Sequence, residues 1–434
     1  MNSIRISIAL VLSALVLLPA PSVQTANDDK PKGLSPQGLS PQAGGGLAAE
    51  RTAVIDSGLQ RYVDDNRVAG IVALVLQDGR PVYEKAFGWA DKEAGRRMTT
   101  DTIFRIASQT KALTSVAIMQ LIEEGRLTLG RRAGDFIPTF ASTTVATGRK
   151  GETLVTEPAR RPITIRDLLT HTAGISYGTD ALVADLYQAK GLGPAAGFGW
   201  YTADKDEPVC ATMERLGTLP FVAQPGERWV YGYNTDILGC IVEKVSGMPL
   251  DEYLRTRIIA PLGMKDTAFF VPAADRGRLA AVYSSRDGGF VRAPDGARGQ
   301  GHYTDGPRKN FAGGAGLVST ARDYARFLEA IRLGGTVDGV RVLSPRSVRL
   351  MATNQVGTLH SATGLGFGLG FGTTDRFGAS GMQSEGSFGW GGAYGSVYRI
   401  DPEQKLVMVL MMQLIPNSSD IREAFPNLVY QAVP

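Results

Sequence analysis

Phe104-Arg105-Ile106-Ala107-Ser108-Gln109-Thr110-Lys111-Ala112-Leu113 contains a Ser-x-x-Lys spacing and runs into an apolar stretch, Val116 to Ile122, closed by Gly125. The run is long enough for a helix, and glycine is favoured just past a helix end. A helix starting near Ser108 sets Ser108 and Lys111 one turn apart on one face. A serine hydroxyl is a poor nucleophile until a base takes its proton. An amine three residues on can reach it, and the helix N-terminus favours the anion that develops. The amine must be neutral to accept that proton, a state that desolvation or nearby positive charge favours. An isolated Ser-x-x-Lys is usually a solvated pair on an ordinary helix. Here the apolar neighbours make the helix read as buried, and a buried lysine needs a reason.

The 434 residues carry 46 Lys and Arg against 42 Asp and Glu, a net charge of +4 with no basic run, so no nucleic-acid partner is expected. Arg5, the apolar core Ile6 to Ala20 and small residues up to Ala26 read as a signal peptide over 1–26. The run is short for a membrane span, Pro19 and Pro21 interrupt it, and no cysteine follows for a lipid anchor. The expectation is an exported protein, periplasmic or secreted. Residues 27–50 repeat Gly-Leu-Ser-Pro-Gln twice before a glycine run, a flexible linker. Cys240 sits in an apolar helical pattern and Cys210 in a polar segment. Two cysteines are no framework, so they are expected unpaired although an oxidising compartment permits a bridge.

Val54, Ile55, Leu59, Tyr62 and Val63 form a helical stripe, and Ile71–Leu76, Asp78-Gly79 and Val82–Trp89 a hairpin. From about 141 the pattern turns to helices and long loops. Thr164 to Asp167 resembles a capping box before Leu168–His171. Asp236–Ser246 and Leu250–Ala260 read as helices, while 177–208 and 284–310 are Gly-rich and polar, plausible lids. Strand patterns resume at Gly316–Ser319 and over Gly364–Gly372. In that second run every alternate residue is glycine, which suits close backbone packing better than phosphate binding. Val397–Ile400 and Leu406–Met412 form a last hairpin, and Ile421–Tyr430 a terminal helix strained by Pro426. Strands at both ends with helices between predict an α+β fold. Residues 51–140 and 311–434 would make a discontinuous antiparallel sheet domain flanked by helices, with 141–310 an inserted, mainly helical domain.

Only His171, His302 and His360 are available to a Ser-His-Asp hydrolase. Gly174-Ile175-Ser176-Tyr177-Gly178 matches G-x-S-x-G, but a nucleophile elbow needs a strand before the serine and a helix after it. Here a short helix precedes and a loop follows, so Ser176 reads as a turn residue and His171 as a tie for that turn. No HExxH, CxxC or EF-hand-like pattern occurs, so no metal and no cofactor are expected.

Six blocks in order together resemble the serine β-lactamase and penicillin-binding-protein superfamily. They are Phe104–Lys111, Leu168–Gly174, Pro225-Gly226-Glu227-Arg228, Pro261-Leu262-Gly263-Met264, Gly313–Leu317 and Trp390–Gly395. The likeness spans roughly residues 52–432 and is strongest to its class C-like, family VIII carboxylesterases. It implies a β-lactamase-like fold, Ser108 as nucleophile and Lys111 as its partner. It also implies a catalytic tyrosine after the Pro-Gly turn. Tyr231 matches, counting back from Gly239, and Tyr233 with Asn234 is a competing register. The same likeness implies an oxyanion hole of the Ser108 and Ala393 backbone N–H groups. The Lys-Thr-Gly strand of β-lactamases is replaced by Trp390-Gly391-Gly392, and Tyr233 stands where asparagine is usual. Trp390 supplies no cation for a substrate carboxylate, which points to neutral small-molecule esters. Trp390, Gly391, Gly392 and Tyr233, with Trp200, are the candidate substrate contacts. The rival readings are a β-lactamase, a D-amino-acid peptidase, an amide-oligomer hydrolase or a transesterase of the same superfamily. A further rival is an inactive relative that binds cell-wall peptide or a partner protein.

Overall fold

The computed structural model describes residues 46–193, 202–297 and 299–434, all within one compact unit. The expected signal peptide, nearly all of the linker and Trp200 lie outside the described residues. The architecture is an α+β fold around one eight-stranded antiparallel sheet. Its strands are β1 (Gly70–Gln77), β2 (Arg80–Asp91), β3 (Arg96–Arg97), β4 (Leu365–Phe367), β5 (Gly372–Thr374), β6 (Phe388–Gly391), β7 (Val397–Asp401) and β8 (Leu406–Met411). The spatial order is β4-β5-β6-β7-β8-β1-β2-β3, so the chain's two ends meet where β8 pairs with β1, Leu74 opposite Val409.

The central strands read as unbroken apolar runs because both faces are covered. On β1, Val72, Leu74 and Leu76 enter the core on one side, while Ile71, Ala73 and Val75 enter that on the other. The second core is closed by α1 (Ala49–Asp64) and α5 (Ile421–Tyr430), which carries Pro426 in its interior. The first core holds α2 (Thr110–Glu123), buried from Thr110 through Leu121. A helix enclosed on all sides has no solvent face for polar groups, so its polar side chains must find partners inside. Thr110 Oγ1 accepts the Leu317 N–H at 3.1 Å, and Thr114 Oγ1 donates to the Gly313 carbonyl at 2.9 Å. These bonds pin the Gly313–Leu317 segment along α2.

Two more helices matter for the site, α3 (Asn234–Ser246), ended by Gly247 in a left-handed conformation, and α4 (Ala321–Arg332). The Thr164–Asp167 capping box forms in full and opens the helix Ile165–Leu169, three residues earlier than the expected Leu168–His171. Several details differ from the sequence reading. Gly364–Gly372 is β4, a turn and β5 rather than one strand, and its glycines sit where a side chain, ring or backbone atom approaches closely. A side chain at Gly370 would strike Ser115, and a Cβ at Gly372 would lie 3.0 Å from the Trp390 indole. Residues 141–310 hold two hairpins, Thr144–Lys150 with Thr153–Pro158 and Tyr283–Arg286 with Gly289–Arg292. Both carry too many exposed, polar positions to show an alternating apolar face. Leu250–Leu254 is α-helical but continues as a π-helical turn, Arg255–Ile259, ahead of Pro261.

The expectation of unpaired cysteines is also corrected. Cys210 and Cys240 form a disulfide. The polar segment around Cys210 is an amphipathic helix, Val209–Leu216, laid against α3, which turns the cysteine inward to Cys240 with a Cα separation of 4.9 Å.

Candidate active site

Ser108 stands where β-structure becomes helix. Phe104–Arg105 pairs with Val318–Ser319, and the chain then enters a 3-10 turn, Ala107–Gln109, leading into α2. Ala107 holds φ +44°, a conformation uncommon for alanine, and the turn leaves Ser108 facing a cavity of about 490 Å³. The described lining is Ala107, Ser108, Tyr177, Thr179, Tyr231, Ala315, Ala393, Tyr394 and Ile415, none of them charged.

Lys111 lies one turn on, 2% exposed. Its Nζ is 3.4 Å from the Ser108 Oγ, 2.8 Å from the Tyr177 hydroxyl and 2.7 Å from the Gly314 carbonyl oxygen. Two phenol rings flank it, with Nζ 4.8 Å from the Tyr231 centroid and 5.5 Å from that of Tyr177. The Tyr231 hydroxyl accepts a hydrogen bond from the Trp390 indole N–H at 3.2 Å. The structure therefore gathers Ser108, Lys111, Tyr231, Trp390 and Ala393 at one place. Gly392 is pressed against the turn before the serine, where an added Cβ would lie 2.6 Å from the Ile106 carbonyl oxygen, and this brings Ala393 beside Ser108.

Tyr233 is placed elsewhere. It packs behind Tyr177, rings 4.9 Å apart, and its hydroxyl accepts the Gly193 N–H at 3.1 Å. Ser176 is 4% exposed, and its Oγ accepts the Gly178 N–H at 3.1 Å within the turn. The G-x-S-x-G segment contributes its tyrosine to the cavity. Sequence reasoning quoted Tyr177 without giving it a role. The signal that could have found it was a phenol six residues from a buried histidine, in a turn already marked as tightly tied.

That tie is visible. His171 adopts φ +57°, its carbonyl accepts the Val230 N–H at 2.7 Å, and its Nδ1 lies 2.9 Å from the Asn234 amide nitrogen. Its ring sits 4.8 Å from that of Tyr231, within an aromatic group that includes Trp229, Phe367, His360 and Trp390. Burial, reinforced by Lys111 and His360, holds His171 well below the usual imidazole range, so it stays neutral. Burial, with Tyr231, Asp236 and Tyr233 around it, pushes the Tyr177 phenol well up. Burial also raises the Asp236 carboxyl, opposed by Lys111 and the Gly314 N–H.

The arrangement has a nucleophile with an amine beside it, two phenols against that amine, and backbone from the serine turn and the Gly392-Ala393 segment converging on one space. It can accept a carbonyl carbon near Ser108 and move a proton among nitrogen and phenol oxygens. Among the described residues no group of three or more His, Cys, Asp or Glu could hold a metal ion.

The family model described as Beta-lactamase matches residues 55–430. Esterase EstB of Burkholderia gladioli is 32% identical over 382 residues, covering 84% of this chain and 90% of that protein. The solved structure of EstCE1, "a hydrolase with promiscuous acyltransferase activity", superposes with a TM-score of 0.74 at 27% identity, covering 88% of this chain and 98% of the other. Simvastatin Synthase (LovD) from Aspergillus terreus does so with a TM-score of 0.71 at 25% identity, covering 89% and 98%.

Proposed function

Because the chain belongs to the Beta-lactamase family and is a serine hydrolase of that superfamily, we propose that it is an exported esterase of neutral carboxylic esters. Ser108 attacks the ester carbonyl and its proton passes to Lys111. Tyr231, steadied by Trp390, gives its proton to the departing alkoxide and takes that held by Lys111 in its place, and the Ser108 and Ala393 N–H groups hold the oxyanion. Water then releases the acyl group. Tyr177 positions the amine. Export draws support from the leader-like residues 1–26 and from the Cys210–Cys240 disulfide, a bond typical of oxidising compartments.

The observation that carries ester selectivity is a cavity whose described lining has no charged residue, with Trp390, bonded to Tyr231 of that lining, where β-lactamases have a lysine. A β-lactam or peptide terminus brings a carboxylate, and burying it unpaired costs several kcal/mol. Neither Arg292 nor Arg308 of the long loop offers a remedy. Arg292 is paired with Asp91 and Asp295, and Arg308 stacks on Phe270 and donates to the Thr304 carbonyl. We therefore expect kcat/KM for a short p-nitrophenyl ester to exceed that for nitrocefin by about a thousandfold or more, roughly three tenfold steps of 1.4 kcal/mol. Trp390→Lys should narrow the gap. Equal rates on both substrates in the wild-type protein would replace the esterase assignment with a β-lactamase-like one.

A second reading, acyl transfer to an alcohol, is favoured by the likeness to EstCE1. An acceptor alcohol added to the ester assay distinguishes it, since a transferase forms the new ester at the expense of free acid.

A further inference from the structure

Asp236 sits in the first turn of α3, 5% exposed, outside every motif of the sequence reading. Its Oδ1 accepts the Gly314 N–H at 3.0 Å, and a side chain at Gly314 would collide with the carboxylate. The Gly314 carbonyl oxygen then receives the Lys111 Nζ at 2.7 Å, while the Gly313 carbonyl is held by Thr114. One residue of backbone thus separates a buried carboxylate from the candidate base. Among the described residues Asp236 makes no ion pair, and the cations whose fields reach it are Lys111 and Lys205. An isolated buried carboxylate is costly, and an asparagine could accept the same N–H. Besides that hydrogen bond, the first turn of α3 and the nearby Lys111 favour a carboxylate here.

Resting on the esterase reading above, we propose that Asp236 is a positioning residue that acts through Lys111. It fixes the Gly314 carbonyl against the amine and supplies the negative charge that stabilises the ammonium formed during acylation. In that step the Ser108 Oγ bonds to the ester carbon, the carbonyl π pair moves onto its oxygen, and the Oγ proton goes to Lys111 Nζ. The ester C–O bond then breaks, and the proton leaves with the alcohol. Positive charge at Nζ is transient, so a fixed anion nearby lowers the barrier without tightening substrate binding.

The test is Asp236→Asn, which keeps the acceptor for Gly314 and removes the charge. Release of p-nitrophenol in the first turnover should slow by roughly tenfold to a hundredfold, less than the hundredfold or more expected on losing the general base itself, with KM little changed. Burial raises the folded-state Asp236 carboxyl above its unfolded value, so ionising it at neutral pH costs stability. The variant should accordingly melt at the same temperature as wild type or higher, which a scaffolding role does not predict. In a Lys111→Ala background Asp236→Asn should cost nothing further, because the charge it serves is gone. A wild-type rate in Asp236→Asn overturns the inference while leaving the esterase reading intact. So does a lowered melting temperature, or an equal loss in both backgrounds. A wild-type protein that releases no p-nitrophenol at all removes the esterase reading, and the inference with it.

Discussion

Tyr177 and Tyr231 both reach Lys111, but by different means. Tyr177 offers its hydroxyl at 2.8 Å, whereas Tyr231 offers its ring face and points its hydroxyl to Trp390. Their substitutions should therefore differ. Tyr177→Phe removes a hydrogen bond to the amine, and such bonds are worth about 1.5–3 kcal/mol when one partner is charged. At 1.4 kcal/mol per decade this is a loss of about tenfold to a hundredfold in kcat. Tyr231→Phe removes a group proposed to carry a proton, for which about a hundredfold or more is usual. Steady-state kinetics on a short ester, with circular dichroism to confirm folding, would check both. A Tyr177→Phe variant with unchanged kcat would reduce Tyr177 to a wall of the cavity. The two phenols also differ in legibility. Tyr231 stood out through its distance from Gly239, while Tyr177 needed the fold, since only the positive φ of His171 and the ties to Val230 and Asn234 turn that segment inward.

At the scale of elements, α3 carries much of the site. Its first residues hold the His171 turn through Asn234 and the Gly314 segment through Asp236, and its middle is joined to Val209–Leu216 by the disulfide. The bond closes a loop with a sequence separation of 30. By the loop-entropy relation a cross-link of that span is worth about 3–4 kcal/mol. Cys210→Ser with Cys240→Ser should lower the melting temperature measurably in a thermal scan, and a reducing agent should reproduce the loss in wild type but not in the double variant. An unchanged midpoint in both would mean that α3 is held by packing alone. The cysteine pattern did not announce this bond, because two cysteines 30 apart say nothing of geometry until the amphipathic helix is placed. Hairpins and capped helices were easier. Asp78-Gly79 and the Thr164–Asp167 box are local chemistry, and both form as read. The exposed hairpin at Thr144–Pro158 has no apolar face to betray it, and the β4–β5 turn was hidden because glycine periodicity alone cannot distinguish one strand from two.

For the whole molecule, the sheet unites strands from residues 70–97 and 365–411, and the site forms where the serine helix, the turn at His171 and the β6 segment meet. The apolar runs that build β1, β8 and α2 were readable because they are buried on every side. The convergence of Ser108 with Ala393, 285 positions later in the chain, was reachable from sequence only through resemblance, since no local pattern links them. The proposed function rests on one serine, Ser108, and not the G-x-S-x-G serine, doing the chemistry. Treating the folded protein with a fluorophosphonate and locating the adduct by peptide mass spectrometry tests this most directly. The account predicts modification at Ser108, absent in Ser108→Ala and retained in Ser176→Ala, with ester turnover lost and kept in parallel. Modification at Ser176, or a folded wild-type protein that takes up no probe and turns over no ester, would contradict it.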